Sequence, residues 1–567
     1  MTEKRMQALR DDSSTSRVNI QTGAVCSETF MPFLEPIGVL AGRMNPDWPR
    51  RREISPEEGV LNILGQNKER RTTMVSSPPK IRRDLARAWY LVLAVRIDEA
   101  HRMIEQLELE LETVPPLSAG RVRGAIQLLR AAGLAIQDDS LAVLPAAVSV
   151  LKRGGMSRGS HAALTLLRLG LWRLGEFDSF CLLPRLEPRG RWSKSLGISA
   201  MLDLSIEAAL ALDHLRLSTA KRLALDALDI AKSTPREAAG LATIPASISA
   251  QVFYEEGCLD QAEALLRHHL PVINASGPVE SALRAYIVLT RIAKQRKQSD
   301  FAALLLREAE ALGERRGWAR LVAACLAERA SLLLQGGQTR EARQVSEYLD
   351  RYAQSHRSGS GHSTSEIARY RTLTRWRVCW AYTPSREAVA GLRWLHHQAL
   401  EKRDLYLGCA LAIELAEMLA AMGESEEADA LFIRTVKAAA IAGLYQVFLE
   451  GGSQSGILLG RAYARAAAPG STDCDFLPLV ESLHSRWNAR DIRSATAPPQ
   501  NRGSDTLTAR ERDVLSMISQ GFSNKYIARV LEISPETVKS HAKRIFLQLG
   551  VSTRTEAVFR AGSLGLL

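Results

Sequence analysis

Near the C-terminal end of the chain, basic and hydroxyl side chains are spaced so that they can share one face of a helix. Lys539 and Lys543 are four positions apart and Ser540 lies between them, and Lys525 and Arg529 repeat the four-residue spacing upstream. Ammonium groups can reach phosphate oxygens or guanine edges, and a short serine lets a helix approach the base pairs closely. The pattern predicts contacts with the phosphates and the major groove of double-stranded DNA.

Four short helices are predicted to position these side chains, over 509–520, 524–531, 535–549 and 554–563. Their starts and ends are indicated by capping residues, which are Thr508 with Glu511, Gly521, Ser523, Ser534 before Pro535, Gly550, and Thr553 with Glu556. In the third helix the apolar positions form a stripe opposite the lysines, made of Val538, Ala542, Ile545 and Leu549. One face of that helix should therefore pack while the other meets the ligand. The alternative is a helical hairpin with solvated charges.

The segment resembles the LuxR-type helix-turn-helix over its full length. It contains, in order, the strings LT-x-RE, L-x-x-I-x-x-G-x-SNK-x-IA, L-x-IS-x-x-TVK-x-H, I-x-x-x-LGV and R-x-x-AV. Many spaced matches of this kind favour DNA binding over a solvated hairpin. Two positions depart from the family pattern, Tyr526 where a glutamate is usual and Gln548 where a lysine is common.

The resemblance implies roles for individual residues. Lys525 and Thr537 would hold phosphates, while Lys539, Ser540 and Lys543 would face the groove, and Arg544 is expected among the DNA-binding side chains. The family pairs its domains through the fourth helix, which implies a dimer on DNA and places the dimer contact at Val558 and Ala561. RNA polymerase is an expected partner, and activation is the expected effect.

The bulk composition indicates a globular, multi-domain or repeat protein. The chain has 567 residues and a formal net charge of +12, of which the last 63 residues carry nine basic against six acidic side chains, or +3. Seven cysteines are scattered without any C-x-x-C pair, which indicates reduced thiols. No apolar run is long enough for a membrane span and the N-terminus lacks an apolar signal segment, so we expect a cytoplasmic protein without membrane contact.

A recurrent turn organises most of the chain ahead of the basic segment. Three clear copies begin with glycine and reach an alanine five positions later, at Gly257–Ala262, Gly337–Ala342 and Gly423–Ala428. Six weaker copies fill the gaps, at Val95–Ala100, Gln137–Ala142, Gly175–Phe180, Leu215–Ala220, Lys297–Ala302 and Thr383–Ala388. The near-constant spacing, 38 to 46 residues, predicts about nine stacked helical pairs. A helical bundle without a true repeat is the alternative.

Together these segments predict an all-α protein in which a tetratricopeptide-like superhelix precedes a four-helix LuxR-type domain. We expect a poorly structured segment over 1–80, a repeat domain over 81–487, a Pro- and Gly-containing linker over 488–505 and the DNA-binding domain over 506–567. The repeat region resembles the sensor domain of MalT-like regulators, through RDLARAWYLVLAVRIDEA and the string GLYQVFLEGG. Larger MalT-like regulators begin with an ATPase domain, but this sequence contains no Gly-Lys dipeptide and hence no phosphate-binding loop of that kind.

Other chemistry has little support in the sequence. The pairs His268–His269 and His396–His397 are adjacent on helices and cannot easily share one metal ion, so no metal and no cofactor are expected. Trp376 and Trp380, flanked by arginines, could form the floor of a ligand pocket on the concave face, although burial in a core is the commoner fate of tryptophan. The sequence thus predicts a non-enzymatic regulator whose array senses a small molecule or a protein. A protein-binding scaffold with an accessory DNA tether is the alternative, and a nucleotide hydrolase is disfavoured.

Overall fold

The computed structural model describes residues 79–111, 116–153, 158–185, 197–234, 238–356, 361–468 and 474–495, and, near the C-terminus, 509–519, 522, 524–531, 533–549, 554, 557 and 561. Of the segment 1–80 that the sequence predicts to be poorly structured, residues 1–78 lie outside these ranges, and Pro79 and Lys80 belong to the first helix. Within them, all regular structure is helical. The chain divides between Trp487 and Asn488 into two compact units. None of the helices in these ranges is both long and apolar enough to cross a membrane.

The first unit consists of antiparallel helical pairs in sequence order, as the repeat pattern predicted. The helices of the first five pairs are α1 Pro79–Leu93, α2 Ile97–Glu110, α3 Pro116–Ile136, α4 Ser140–Arg153, α5 Arg158–Leu174, α6 Phe177–Leu182, α7 Gly197–Asp213, α8 Leu217–Ala231, α9 Ala239–Glu255 and α10 Leu259–Ser276. The next four pairs are α11 Val279–Gln295, α12 Ser299–Arg316, α13 Ala319–Gln335, α14 Thr339–Ser355, α15 Gly361–Tyr382, α16 Arg386–Glu401, α17 Leu405–Ala421 and α18 Ser425–Ala442. Three further helices follow, α19 Gln446–Leu449, α20 Ser453–Ala466 and α21 Leu477–Ala495.

Eight of the nine turns inside the pairs contain a residue in the left-handed conformation. In the glycine copy at Gly337, φ is 74°, and the next amide, of Gln338, donates to the carbonyl of Leu333 at 2.8 Å, which is the bonding pattern of a left-handed helix cap. The same left-handed position is held by non-glycine residues in several weaker copies, such as Val95 at φ 58° and Leu215 at φ 57°. A β-branched residue rarely adopts this conformation, so the packing of the flanking helices must impose it.

The alanine five positions after each turn lies where two helices approach most closely. These alanines are at most 1% exposed at Ala100, Ala220, Ala262, Ala302, Ala342, Ala388 and Ala428, and Phe180 takes the position in the pair α5–α6. A larger side chain at such a contact would separate the helices, because protein cores are packed without spare volume. The alanine positions therefore define the repeat more consistently than the glycines do.

Two predicted turns differ from the structure. In the turn between α3 and α4 the left-handed residue is Asp138, one position after Gln137. The side chain of Asp139 caps α4 by accepting from the amide of Ala142 at 3.1 Å. The buried position five residues after Asp138 is then taken by Val143. The turn at Thr383 has no left-handed residue. There, Ser385 caps α16 by accepting from the amide of Ala388 at 3.3 Å.

The end of helix α21 overlaps the segment 488–505 that the sequence predicts as a linker, although the two compact units divide at its predicted start. Helix α21 continues to Ala495, whereas the sequence pattern predicts a linker from residue 488. The stretch NARDIRSA contains neither glycine nor proline, so it can extend a helix until Pro498 and Pro499 are near. Residues 496–508 lie outside the described part of the chain.

Candidate nucleic-acid interface

The described part of the second unit contains three helices close to the predicted limits, α22 Ala509–Ser519, α23 Asn524–Val530 and α24 Pro535–Leu549. A short turn joins α23 to α24, and the amide of Ile533 in that turn donates to the carbonyl of Ala528 at 3.0 Å. Ser534 caps α24, as predicted, because its Oγ accepts from the amide of Thr537 at 3.1 Å. This arrangement, in which a tight turn joins two helices, is a helix-turn-helix.

The apolar stripe of α24 forms the centre of the core of the second unit. Val538 and Ile545 are 0% exposed and Ala542 is 7% exposed. They pack with apolar residues of α22 and α23 and of the segment after α24, namely Val514, Leu515, Ile518, Ile527, Ala528, Ala557 and Ala561. Since this stripe is turned inward, the opposite face of α24 is directed outward.

The predicted groove-facing side chains lie on that outward face. Lys539, Ser540 and Lys543 are all exposed on α24, Thr537 is exposed in its first turn, and Lys525 is exposed on α23. The structure therefore brings together, on the surface of two adjoining helices, the side chains that the sequence pattern indicated. Their contacts with DNA remain a prediction.

Two of these side chains already have partners within the domain. Lys539 Nζ lies 2.7 Å from Oε1 of Glu536 in an exposed ion pair, so binding a phosphate or a base would exchange one partner for another. The hydroxyl of Thr537 lies 2.8 Å from the hydroxyl of Ser534, next to the cap of α24. Thr537 thus presents its hydroxyl at the helix N-terminus, where backbone amides also favour an anion.

Arg544 holds a different position from the lysines. Its Nε lies 3.4 Å from Oε1 of Glu511, whose side chain is only 1% exposed, while the Arg544 side chain is 70% exposed. The pair links α24 to the first turn of α22. A structural role for Arg544 is therefore visible in the geometry, and its predicted role in DNA binding remains a proposal.

Three contacts that hold the domain together were not predicted from the sequence. Arg510 donates to the carbonyl of Leu531, and Arg554 donates both to Asn524 Oδ1 at 2.9 Å and to the carbonyl of Phe522. These arginines anchor the ends of α23 to the helices before and after it. Arg510 belongs to the LT-x-RE string and Arg554 to the R-x-x-AV string, so the family pattern was the available signal for both.

Tyr526, one of the two departures from the family pattern, is 45% exposed and stacks on Phe522 with ring centroids 4.6 Å apart. An exposed aromatic side chain at this position adds an apolar surface beside Lys525. The second departure, Gln548, lies in α24, and its side chain is outside the described part of the chain.

The predicted dimer contact at Ala561 requires correction. Ala561 is 0% exposed and packs in the core of its own domain, so its methyl group is not available to a second copy. Val558 lies outside the described residues.

The two tryptophans considered as a pocket floor pack against the same apolar cluster, but they differ in their contact with a cavity. Trp376 packs against the backbone of α16, where a Cβ added to Gly391 would lie 2.2 Å from its ring, so Trp376 is a packing residue. Trp380 lines a polar cavity of about 1110 Å³ within the first unit. Of the pair Trp376 and Trp380, Trp380 is therefore the one placed to contact a ligand in that cavity.

The polar cavity is lined by ten carboxylates and eight basic side chains. Burial, and next the carboxylate of Glu450, raise the pKa of Glu255 to about 8. Burial, and next the neighbouring Asp404, raise the pKa of Asp213 to about 7. Both shifts have the same physical origin, because a carboxylate that is removed from water beside another carboxylate is easier to protonate. At neutral pH the lining therefore carries less negative charge than its number of carboxyl groups suggests.

Arginines form ion pairs with several carboxylates at this cavity. Arg320 reaches Asp138, Glu280 and Glu366, and Arg173 lies 3.1 Å from Glu280. Although burial alone would raise the pKa of Glu280, the guanidinium groups of Arg320, Arg173 and Arg284 hold it well below its usual range. This network of ion pairs joins helices from distant parts of the array.

Comparisons with known proteins agree with the geometry of the second unit. Residues 505–561 match the family model described as bacterial regulatory proteins, luxR family. The monoamine regulon transcriptional regulator of Klebsiella aerogenes is 52% identical over 54 residues, which are 10% of this chain and 24% of that protein. The nitrate/nitrite response regulator protein NarL of Escherichia coli strain K12 is 46% identical over 69 residues, 12% of this chain and 32% of NarL.

A putative HTH-type transcriptional regulator of Mycobacterium bovis is 42% identical over 105 residues, which are 18% of this chain and 10% of that protein. The matches thus span only 10% to 32% of the length of these relatives. Among solved structures, a Rap protein complexed with Competence and Sporulation Factor is similar at 14% identity and a TM-score of 0.48, over 64% of this chain and 98% of that one. Residues 505–561 are therefore a helix-turn-helix domain of the luxR family, and in the sequence they follow an array of helical pairs.

Proposed function

We propose that the protein is a transcriptional regulator whose C-terminal domain binds operator DNA with α24 in the major groove. The proposal rests on the difference between two faces of α24, one of which is buried while the other is exposed. Val538, Ala542 and Ile545 are buried, while Lys539 and Lys543 are exposed on the outward face. A helix with one packed face and one basic face, after a tight helix-turn-helix turn, is the geometry that reads base edges.

In this proposal Lys525 and Thr537 contact phosphates on either side of the inserted helix, and Lys539, Ser540 and Lys543 meet the groove. Arg544 can add a phosphate contact through the exposed part of its guanidinium. Two copies bind two half-sites, and the DNA-bound dimer contacts RNA polymerase to activate transcription. Support for pairing comes from the family likeness of residues 505–561.

The repeat array would sense an effector and alter how the DNA-binding domain is presented. The polar cavity that Trp380 lines supports this part of the proposal, because it offers both charged groups and aromatic surface to a ligand. Since Glu255 and Asp213 are readily protonated, the ten acidic and eight basic side chains of the lining are close to charge balance, which suits a polar effector of low net charge. Exposure to such an effector should change operator affinity in the full-length chain.

The experiment begins with selection of preferred sites from random DNA by the full-length protein. Lys543→Ala and Lys539→Ala should each weaken binding to the selected operator by about 1 to 3 kcal/mol, or roughly 5- to 150-fold, if the lysine bonds to a base edge. If a lysine instead holds a phosphate, the salt dependence should fall by about one unit of slope while sequence preference is kept.

Lys232→Ala is the matched control. Lys232 forms an exposed ion pair with Asp229 three positions away at 3.0 Å, like Lys539 with Glu536, but it lies on the repeat array. The control should bind the operator as the wild type does. Wild-type affinity of the Lys539/Lys543 double variant would contradict the assignment of α24 to the groove, and failure to select any sequence would favour the scaffold with a DNA tether.

A further inference from the structure

A second, smaller cavity lies within the N-terminal half of the repeat array. Its volume is about 150 Å³, and the first helices of six successive pairs, α1, α3, α5, α7, α9 and α11, contribute to its lining. Most of the lining is aliphatic or aromatic, with Leu166, Leu202 and Ile206 on adjoining helices and the rings of Trp89 and Trp172. This cavity is distinct in character from the charged cavity described above.

One edge of the small cavity is polar. Trp172, Arg173, Glu280 and Arg284 line both cavities and form the wall between them. Arg284 donates through Nε to Gln251 at 2.9 Å and lies 3.2 Å from Glu280, and its guanidinium is 5.9 Å from the Trp172 ring. Because these charged groups already satisfy one another, the apolar interior is not a place where water or a highly polar ligand would be stabilised.

We propose that this cavity binds a single-ring aromatic molecule. A dry cavity of about 150 Å³ lined by Leu, Ile and Phe side chains accommodates benzene, so the volume and lining found here suit one ring. The two tryptophan rings provide edge and face contacts that a ring of this size can use.

Binding at this site has a structural consequence for the array. Helices of six successive pairs contact the cavity, so a bound ring would add packing contacts to α5, α7 and α9 at once. The shared wall connects this site to the charged cavity. Any effect of the ring on transcription rests on the proposed function, whereas binding itself does not.

The test uses the full-length protein and toluene as the probe, with binding followed by calorimetry and by the shift of the melting temperature. Toluene should bind the wild type and raise its melting temperature in proportion to the logarithm of the ligand concentration. The measurement needs no DNA, and the Lys539/Lys543 double variant should bind toluene like the wild type. Failure of ring binding and failure of operator binding are therefore separate results.

Two substitutions on α3 provide the matched pair. Ala132 lines the cavity, while Ala125, two helical turns earlier, packs against the same apolar cluster without lining it. Ala132→Leu should fill part of the cavity and weaken toluene binding by at least about tenfold, whereas Ala125→Leu should leave the affinity unchanged. Equal affinities of the two variants, or no toluene binding by the wild type, would overturn the proposal.

A third variant keeps the proposal testable if Ala132→Leu does not fold. Leu202→Ala should enlarge the cavity and increase the affinity for butylbenzene by about tenfold relative to the wild type, because the longer substituent then finds space. An affinity for butylbenzene that is unchanged in Leu202→Ala would place the binding of aromatic probes elsewhere and contradict the assignment.

Discussion

Replacement of Arg320 by methionine removes the centre of the buried ion-pair network in the repeat array. The Arg320 side chain is 4% exposed, and it contacts Asp138 at 2.9 and 2.8 Å, Glu280 at 2.6 Å and Glu366 at 2.8 Å. Without the guanidinium, three carboxylates would remain close together with fewer partners. Breaking a buried ion pair by removal of one member typically costs about 3 to 5 kcal/mol, and we expect an effect of this size.

Loss of the ion-pair network should destabilise contacts between helices that are far apart in the sequence. Asp138 lies in the turn after α3, 182 positions before Arg320, and the adjacent Trp318 donates from Nε1 to the carbonyl of Ile136 at 3.0 Å. The arginine thus holds the beginning of α13 against the end of α3. In Arg320→Met, the amides of α13 should exchange with solvent faster than those of α17.

The assay is urea unfolding of the full-length protein, combined with hydrogen exchange resolved by segment. Arg222→Met is the control, since Arg222 forms an exposed pair with Asp226 on α8 at 3.6 Å and such pairs contribute little. The control should leave both the unfolding midpoint and the exchange of α13 almost unchanged. A destabilisation below about 1 kcal/mol in Arg320→Met would refute the reasoning, because loss of a buried ion pair should lower the free energy of unfolding by more than that.

The pH dependence gives an independent check. The folded pKa of Glu280 is depressed, so its ionised form stabilises the fold at pH values above the unfolded pKa near 4.5, and this stabilisation is lost as the pH falls toward the folded pKa. Arg320→Met weakens the depression. The difference in stability between wild type and variant should therefore be largest at neutral pH and shrink below about pH 4.5. A difference that stays constant down to pH 3 would contradict the electrostatic explanation.

Two further predictions concern the DNA-binding domain and the polar cavity. Arg544→Ala should lower the melting temperature of the C-terminal domain because it removes the pair with buried Glu511, and a fall in the salt slope of operator binding in the same variant would show that Arg544 also holds a phosphate. Glu255→Gln should make the stability of the array, measured by urea unfolding across the pH range, less sensitive to pH. Burial and Glu450 raise the folded pKa of Glu255 to about 8, so the wild type should lose stability as the pH rises from about 4.5 to 8. The glutamine amide of the variant cannot ionise, but its carbonyl oxygen can still accept a hydrogen bond from the Tyr406 hydroxyl.

The local rules of helix formation made much of both units predictable. Ser534 caps α24 because its hydroxyl competes well for a free amide, and Pro535 then fits the first helical position, so the start of α24 could be placed within a residue. The alanine five positions after each turn was also visible in the sequence, because only a small residue suits a close helix contact. Prediction was less accurate at the turn that begins near Gln137, because Asp139 caps the next helix there and the left-handed residue is Asp138.

Long-range contacts could not be predicted in the same way. Nothing in the spacing of Asp138, Glu280 and Arg320 indicates that they meet, because the ion pairs depend on how many helical pairs lie between them and on the angle between each pair and the next. The same limit applies to Trp376 and Trp380, which are four positions apart on α15. Gly391 leaves space for Trp376 on the neighbouring helix, whereas Trp380 reaches the polar cavity.

The amino-acid sequence by itself determined the helical pairs, their period, and the face of α24 that carries Lys539 and Lys543, because caps, small residues and the helical period act over a few residues. Only the tertiary structure decided that Ala561 belongs to the core of its own domain and that the array contains an apolar cavity beside a charged one. Burial and cavity shape arise from side chains on helices far apart in the sequence. Their positions depend on the accumulated geometry of the whole array.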